Sequence, residues 1–355
     1  MYLFRKDLQN NPEMKISVER RKHMMCLNES PLDPLKALSS QIIDKIKNEV
    51  EGNRYLSDVT ERLRSALADY VGLGVKSDQI LFGNGADEML YFMFTAVRED
   101  NNSFALSLGP SYFDYKTYSA SVGLKMQFLS LNNDFNFSTE EYLQICRDPH
   151  CKLAIICNPN NPTGNLIPDK KIIHILQNVD IPVLVDETYF EFSGKTFADL
   201  LSEYPNLIIL RSFSKSFSSA GLRFGYIISS ADNCRELNKV MPIFHSNLLT
   251  QHIALTLLEN KEIFQKHNQE LIARREQLFK GMQEIKGLKS TNTHTNFLLF
   301  SAGSRSKELY QFLLDNDISV RPAWAHPVLE NNLRVSISSQ EDCDVFLKAI
   351  KEFFN

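Results

Sequence analysis

The sequence predicts an α/β protein with a doubly wound sheet and a second, smaller α+β part. From about residue 79, short apolar or β-branched runs alternate with segments of helical period, which is typical of a mostly parallel sheet covered by helices. After residue 235 the pattern changes to long amphipathic helices and then to three further strand-like runs. The length of 355 residues suits one large and one small domain.

Seven strands are predicted for the large sheet. They are QILFG from residue 79, SFALSL from 103, LKMQFLSL from 124, LAIICN from 153, VLVDE from 183, LIILRSF from 207 and FGYIIS from 224. In such a sheet ligands bind beyond the carboxyl ends of the strands. The polar residues that follow each run are therefore the first candidates for function.

The carboxyl-terminal part is predicted to begin with helices over about 234–240 and 250–286, the second broken near Lys261. Strands THTNFLLF from 293, ISVRPA from 318 and LRVSIS from 333 follow, with helices over 304–316 and 340–354. We therefore predict an amino-terminal arm over 1–40, a large domain over 41–235 and a small domain over 236–355.

Composition and charge argue against several classes of protein. The net charge of -4 provides no basic field for nucleic acid or anionic lipid. No stretch reaches the ~18 apolar residues of a membrane span, and the first residues do not resemble a leader peptide. The six cysteines lack CxxC spacing, and Cys146, His150 and Cys151 match no common zinc pattern. We expect a cytoplasmic protein with reduced thiols and no metal.

The most informative segment is RSFSKSFSSAGLRFGY, residues 211–226, which follows a predicted strand. Lys215 lies between Ser212 and Ser214 in a hydroxyl-rich turn, and Arg223 follows eight residues later. A lysine amine suits an imine bond to an aldehyde, whose phosphate would require a cation and hydroxyl donors. A loop lysine and a surface arginine would explain either residue alone, but the whole string indicates a pyridoxal phosphate site.

A second motif, VLVDETY, places Asp186 at the end of an apolar strand and Tyr189 three residues later. Pyridoxal phosphate acts as an electron sink only while its ring nitrogen is protonated, so the chemistry requires a buried carboxylate at that nitrogen. An acidic residue at a strand end is common. The spacing supports a functional role for Asp186, because it precedes Lys215 by 29 residues, which is one βα unit.

Two turns complete the motifs. An asparagine amide of NPNNPTGN, residues 158–165, could hold the phenolic O3′ of the cofactor, although a merely ordered turn is an equally good interpretation. In LFGNGADEML the backbone N–H groups of Gly85, Ala86 and Asp87 could approach a phosphate at the start of a helix. Glu88 occupies the place of the third glycine of a dinucleotide fingerprint, which argues against that alternative.

Together SFSKSFSSAGLRFGY, NNPTG, VDETYFEF, FGNGADE and NRY resemble the fold-type I pyridoxal-phosphate-dependent aminotransferases, most closely the histidinol-phosphate aminotransferase branch, over about residues 27–340. The resemblance implies the pyridoxal-phosphate-dependent transferase fold, with a mostly parallel seven-stranded sheet in the large domain. It also implies a homodimer with shared active sites, an amino substrate and a 2-oxo acid such as 2-oxoglutarate.

The resemblance further implies roles for residues that match the family's motifs. The cofactor would be bound by Lys215, which also moves the proton, by Asp186 at N1, by Asn161 and Tyr189 at O3′ and by Tyr112 stacked on the ring. Its phosphate would be bound by Ser212, Ser214, Arg223, the backbone of Gly85, Ala86 and Asp87, and Tyr55 of the partner. A core tyrosine is the alternative for Tyr112.

For the substrate, the resemblance implies Asn28, Glu29, Arg321 and Arg334. Two arginines suit a dianionic tail, although a surface ion pair is an alternative for Arg321. The chain departs from the branch at Ser30, which replaces an asparagine, and only Tyr2 lies upstream where a Pro-Tyr segment is usual. Trp324 and His326 are further local differences, and a solvent-exposed loop is the simplest interpretation of His326.

Two other kinds of function remain open from the sequence. A decarboxylase or an aromatic aminotransferase would use the same lysine, aspartate and arginine, because the substituent perpendicular to the ring decides which bond breaks. A non-enzymatic effector-sensing module would carry an additional helix-turn-helix domain and a basic patch, which this sequence does not show.

Overall fold

The structure is a computed structural model that describes residues 3–11, 18, 20–55 and 57–355, so Tyr2 lies outside the described residues. The strands are β1 (His23–Met24), β2 (Ile80–Gly83), β3 (Phe104–Gly109), β4 (Lys125–Ser130), β5 (Cys151–Cys157), β6 (Val183–Asp186), β7 (Leu207–Ser212), β8 (Gly225–Ile228), β9 (Lys289–Thr291), β10 (Phe297–Ser301), β11 (Ile318–Ser319), β12 (Arg321–Pro322) and β13 (Leu333–Ser336).

The α-helices run along the whole described chain. They are α1 (Pro34–Ala37), α2 (Ser39–Glu49), α3 (Val59–Val71), α4 (Ala86–Val97), α5 (Asp114–Val122), α6 (Thr139–Cys146), α7 (Asp169–Asn178), α8 (Phe190–Ser193), α9 (Phe213–Ser216), α10 (Ala231–Asn238), α11 (Leu248–Glu259), α12 (Lys261–Gln283), α13 (Ser306–Asp315) and α14 (Gln340–Phe354). In the described ranges none of these is both long and apolar enough to cross a membrane.

The seven predicted strands form one sheet, in the order β2-β8-β7-β6-β5-β3-β4. Within this described sheet, β8 runs opposite to β2 and β7, and the pairs from β7 to β4 are all parallel, so the prediction of a mostly parallel sheet is confirmed. Both faces are covered by apolar cores, since Val183 and Val185 of β6 pack on one side and Leu184 packs on the other. Burial on both faces explains why these strands are continuous apolar runs.

The smaller sheet is antiparallel, in the order β12-β13-β10-β9, and β1 pairs with β11 in parallel. The predicted helix break is confirmed, because α11 ends at Glu259 and α12 begins at Lys261. Helix α11 packs against α2 and α3 and joins the core of the large sheet. The domain limits at 40 and 235 stay a prediction.

The seven-stranded sheet approaches the start of α4 very closely at Gly225. A Cβ atom added to Gly225 would lie 2.3 Å from the backbone nitrogen of Ala86 and 2.5 Å from the carbonyl carbon of Gly85. These are backbone atoms, which no side-chain rotation can move away. Glycine at 225 therefore sets the distance between β8 and the amino-terminal end of α4.

We expect Gly225→Ala to lower the free energy of unfolding by about 1–3 kcal/mol, because the backbone must shift to accommodate the methyl group. Gly221→Ala is the matched control, since a Cβ atom there meets nothing within 4 Å. Urea denaturation of both variants measures the effect. Equal stability of the two variants would contradict this account of the packing.

Candidate active site

The candidate site forms where three neighbouring parallel strands end together. Strands β5, β6 and β7 are adjacent, and Cα pairing places Cys157 beside Asp186 and Asp186 beside Leu210. The NPNNPTG turn follows β5, Asp186 ends β6, and Ser212 ends β7. The topology therefore brings together the motifs that the sequence analysis had to treat separately.

Asp186 lies at the bottom of the site and is 4% exposed. Its Oδ2 accepts a hydrogen bond from the Tyr115 hydroxyl at 2.6 Å, and its Oδ1 accepts from the Thr188 hydroxyl at 2.7 Å and the Thr188 N–H at 3.0 Å. Burial raises the pKa of Asp186. Within the part of the chain that the structure describes, no cationic side chain forms an ion pair with this carboxyl group.

Lys215 lies on the short helix α9, which Ser212 caps by accepting a hydrogen bond from the N–H of Ser214 at 3.1 Å. The Lys215 ammonium donates to the carbonyl oxygen of Leu27 at 2.9 Å. Burial, with a further contribution from Arg334, lowers the pKa of Lys215 to about 8. A much larger fraction of this amine is therefore the free base near neutral pH than for an ordinary lysine.

The predicted phosphate site lies at the start of α4. Gly85 caps this helix with φ at +91°, and a Cβ atom there would lie 2.7 Å from Nη2 of Arg223. Arg223 itself has a left-handed backbone, with φ at 52°, and its Nη2 donates to Oδ2 of Asp87 at 2.6 Å. Because Gly85 has no side chain, the Arg223 guanidinium can lie beside the N–H groups at the amino-terminal end of α4.

Two tyrosines line the space between Asp186 and the phosphate site. The Tyr112 hydroxyl donates to Oδ1 of Asp87 at 3.0 Å, and its ring meets the Tyr115 ring edge to face. The Tyr189 hydroxyl accepts a hydrogen bond from Nδ2 of Asn28 at 2.9 Å, and burial raises its pKa to about 12. The amino-terminal arm therefore closes over the end of β6.

Arg334 and Arg321 lie directly opposite one another on β13 and β12. Arg334 donates to Oδ1 of Asn161 at 2.6 Å and to the carbonyl oxygen of Cys26 at 2.9 Å, while its buried Nε has no hydrogen-bond partner in the described part of the chain. Burial lowers the pKa of Arg334, and the charge of Arg321 adds to that effect. Among the described residues, Arg321 forms no ion pair. The alternative interpretation of Arg321 as part of a surface ion pair therefore has no acidic partner there.

The remaining predicted residues lie at the edges of the site. Glu29 is exposed and lines a cavity of about 270 Å³ together with Ser30 and Ser214. His326 caps the turn Pro327–Leu329, and its Nε2 would lie 3.3 Å from a Cβ atom on Gly109, at the end of β3. The Trp324 indole N–H is buried and finds no hydrogen-bond partner among the residues that the structure describes.

Tyr55 lies at the surface of the chain. Its ring is 77% exposed and stacks on Phe244, with 4.7 Å between ring centroids. An exposed ring is compatible with the predicted role in a partner's site.

The sequence analysis did not identify Tyr115 and Thr188, which both bind Asp186. Both had a signal. Tyr115 lies three residues after Tyr112 and so on the same side of a helical turn, and Thr188 lies two residues after a strand-ending aspartate, where a hydroxyl commonly closes a turn.

The arrangement fits pyridoxal phosphate. Asp186 is a buried carboxyl group that has no cationic partner among the described residues, and a protonated ring nitrogen would supply one. A partly free lysine amine and a phosphate site made of Gly85, Arg223 and a helix end lie around the same space. The residues present therefore match the aldehyde, ring nitrogen and phosphate of one cofactor.

The fold and the site define a pyridoxal-phosphate-dependent aminotransferase. Residues 21–350 match the family model of aminotransferase class I and II, and the chain belongs to that family. The interpretation as a non-enzymatic module is therefore wrong, and the predictions of fold, cofactor and enzyme class are confirmed.

Within the family, the chain resembles the histidinol-phosphate aminotransferase branch. It is 33% identical to the histidinol-phosphate aminotransferase of Clostridium novyi (strain NT), over 98% of this chain and 96% of that protein. The crystal structure of the enzyme from Clostridium acetobutylicum is 25% identical, has a TM-score of 0.84 and covers 94% of this chain and 99% of its own. The crystal structure of the Sinorhizobium meliloti enzyme in complex with pyridoxal-5'-phosphate is 21% identical and has a TM-score of 0.88. The match covers 100% of this chain and 98% of that one.

The lowered pKa of Lys215 predicts how stability depends on pH. Between pH 8 and 10.5 the unfolded chain holds a proton on Lys215 that the folded chain has released, so the stability of the cofactor-free protein rises with pH in this window. Relative to Lys215→Met, we expect the free energy of unfolding to rise by about 3 kcal/mol from pH 7 to 10.5. Urea denaturation of both proteins measures this, and a constant difference would contradict the burial of the amine.

Proposed function

We propose that this aminotransferase takes the amino group from L-histidinol phosphate, or from a related amine with an anionic tail, and transfers it to 2-oxoglutarate. The observation that carries this proposal is the pair of arginines on β12 and β13, where Arg321 lies opposite Arg334. Two adjacent guanidinium groups repel each other until an anion lies between them. The substrate named for the similar proteins carries such an anion, its phosphate.

The residues of this chain would hold the cofactor at three points. Ser212, Ser214, Arg223 and the backbone N–H groups of Gly85, Ala86 and Asp87 would bind the phosphate. Asp186 would bind the ring nitrogen N1, with Tyr115 and Thr188 orienting its two oxygens. Asn161 and Tyr189 would bind O3′, and Tyr112 would cover the ring.

Lys215 would move the proton of the reaction. When bound, pyridoxal phosphate supplies the electron sink that stabilises charge at the substrate Cα. The Lys215 amine would take the proton from the substrate Cα and deliver it to C4′ of the cofactor, a role that requires an amine partly unprotonated near neutral pH. Its pKa of about 8 meets this requirement.

The two arginines would serve both half-reactions. Arg334 is fixed by Asn161 and the Cys26 carbonyl oxygen, so its guanidinium has one defined orientation in the site. Arg321 is exposed and without an ion-pair partner in the described part of the chain, so it can bind a second anionic group. Both L-histidinol phosphate and 2-oxoglutarate present anionic oxygens to such a pair, whereas amines without an anionic tail do not.

An absorbance scan of the cofactor-loaded protein tests the proposal. We expect L-histidinol phosphate to replace the visible band of the lysine-bound cofactor with that of its amine form, and 2-oxoglutarate to restore it. L-Histidinol, which lacks the phosphate, is the matched control and should react far more slowly. Lys215→Ala should keep the fold but lose all turnover. An unchanged band with L-histidinol phosphate, or carbon dioxide release without a keto product, would contradict the proposed reaction.

We also propose a homodimer in which Tyr55 reaches the cofactor phosphate of the partner. Tyr55, Ile243 and Phe244 form an exposed apolar surface, and Ile243 is 88% exposed. Such a surface favours contact with another protein. A tyrosine hydroxyl at its edge could bind a phosphate across the interface without reaching the site of its own chain.

Mixing two inactive variants tests the shared sites. We expect Lys215→Ala and Tyr55→Ala to restore activity when they are unfolded together and refolded, because each mixed dimer has one site with both residues intact. Random pairing gives about a quarter of wild-type activity. Each variant refolded alone is the control. Activity no greater than the sum of the two controls would exclude a contribution of Tyr55 across the dimer.

We propose a cytoplasmic location. The six cysteines are buried free thiols. Free thiols suit a reducing compartment, and a chain with two large cores does not depend on disulfide bonds for stability.

A further inference from the structure

The segment of residues 239–247, which joins α10 to α11, lies against the strand and turn that lead into the phosphate site. His245 makes the contact. Its Nε2 is 2.7 Å from the carbonyl oxygen of Phe82, the residue of β2 that precedes Gly83 by one position. In return, Nδ2 of Asn84 donates to the carbonyl oxygen of His245 at 2.8 Å. The segment is thus hydrogen-bonded on both sides of Gly83.

The second ring nitrogen of His245 also faces a carbonyl group. Its Nδ1 is 2.9 Å from the oxygen of Pro242, which closes a turn within the segment. Both distances are those of hydrogen bonds. The ring therefore lies between two backbone carbonyl groups, one in the segment itself and one in β2.

The surroundings hold the ring in this position. β2 is an edge strand of the seven-stranded sheet, so the oxygen of Phe82 that His245 binds has no strand beyond it. The imidazole ring meets the Phe92 ring edge to face at 5.9 Å. The nearby Glu88 carboxylate accepts hydrogen bonds from the same Asn84 amide that binds the His245 carbonyl group, and it places a negative charge on this network.

The same segment also positions Tyr55. Phe244, which directly precedes His245, stacks on the Tyr55 ring with 22° between the planes. One side of the segment therefore contacts the turn before Gly85 and Ala86, and the other side contacts the tyrosine proposed to reach a partner's cofactor. If His245 lost one of its hydrogen bonds, both contacts would loosen together.

We propose that His245 is a positioning residue that fixes the turn Gly83–Ala86 of its own chain, which leads into the phosphate site, and the Tyr55 ring offered to the partner. This inference rests on the proposed dimer and cofactor site. His245 does not touch the reacting atoms, and it acts through Phe82, Asn84 and Phe244.

The positioning role is tested by the dissociation constant of pyridoxal phosphate, measured by quenching of tyrosine and tryptophan fluorescence. His245→Leu removes both ring nitrogens, and we expect it to weaken cofactor binding about tenfold or more. His245→Gln keeps a side-chain amide that can donate hydrogen bonds to a carbonyl oxygen, and its affinity should fall between the two. His150→Leu is the control, because the His150 side chain is exposed and far from this turn in the fold.

Wild-type affinity of His245→Leu for pyridoxal phosphate would overturn the positioning role. If the wild-type protein itself failed to bind the cofactor, the proposed function would fail instead. The two failures are therefore distinguishable. Circular dichroism of each variant shows whether a lost affinity comes from the contact or from an unfolded chain.

Discussion

The burial of the Asp186 carboxyl group, with no cation to pair with it, is the constraint around which this site is built. Removing a carboxylate from water is costly unless hydrogen bonds and an opposite charge compensate it. Tyr115 and Thr188 provide hydrogen bonds, but the opposite charge is missing from the described residues. A protonated pyridine ring would complete the site, so the polypeptide alone carries an electrostatic cost that cofactor binding relieves.

The pair Arg321 and Arg334 is likewise a set of charged groups that lacks a counter-ion among the described residues. Arg321 and Arg334 face each other across two short strands, and the pKa of Arg334 is lowered by burial and by its neighbour. Stability alone would favour a neutral residue at one of these positions. Their retention is explained if an anion regularly occupies the space between them. Both ends of the cleft are thus prepared for charges that the ligands bring.

Much of the fold could be predicted because buried parallel strands are continuous apolar runs, as in the stretch that contains β5. The two-residue strand β1 could not, because its pairing with β11 joins distant parts of the chain and leaves no local pattern. The site followed a similar rule. Lys215 and Asp186 lie in recognisable motifs, whereas the contacts of His245 with Phe82 and of Tyr55 with Phe244 depend on tertiary packing alone.

The close approach at Gly225 also has a consequence for how this family can evolve. Most overpacked substitutions can be rescued by a smaller neighbouring side chain, because the clash is with a side chain. Here a methyl group would meet the backbone of Gly85 and Ala86, and no second substitution at those positions removes a backbone atom. A genetic screen for suppressors of Gly225→Ala should therefore yield true revertants, because no second substitution at this contact makes room for the methyl group.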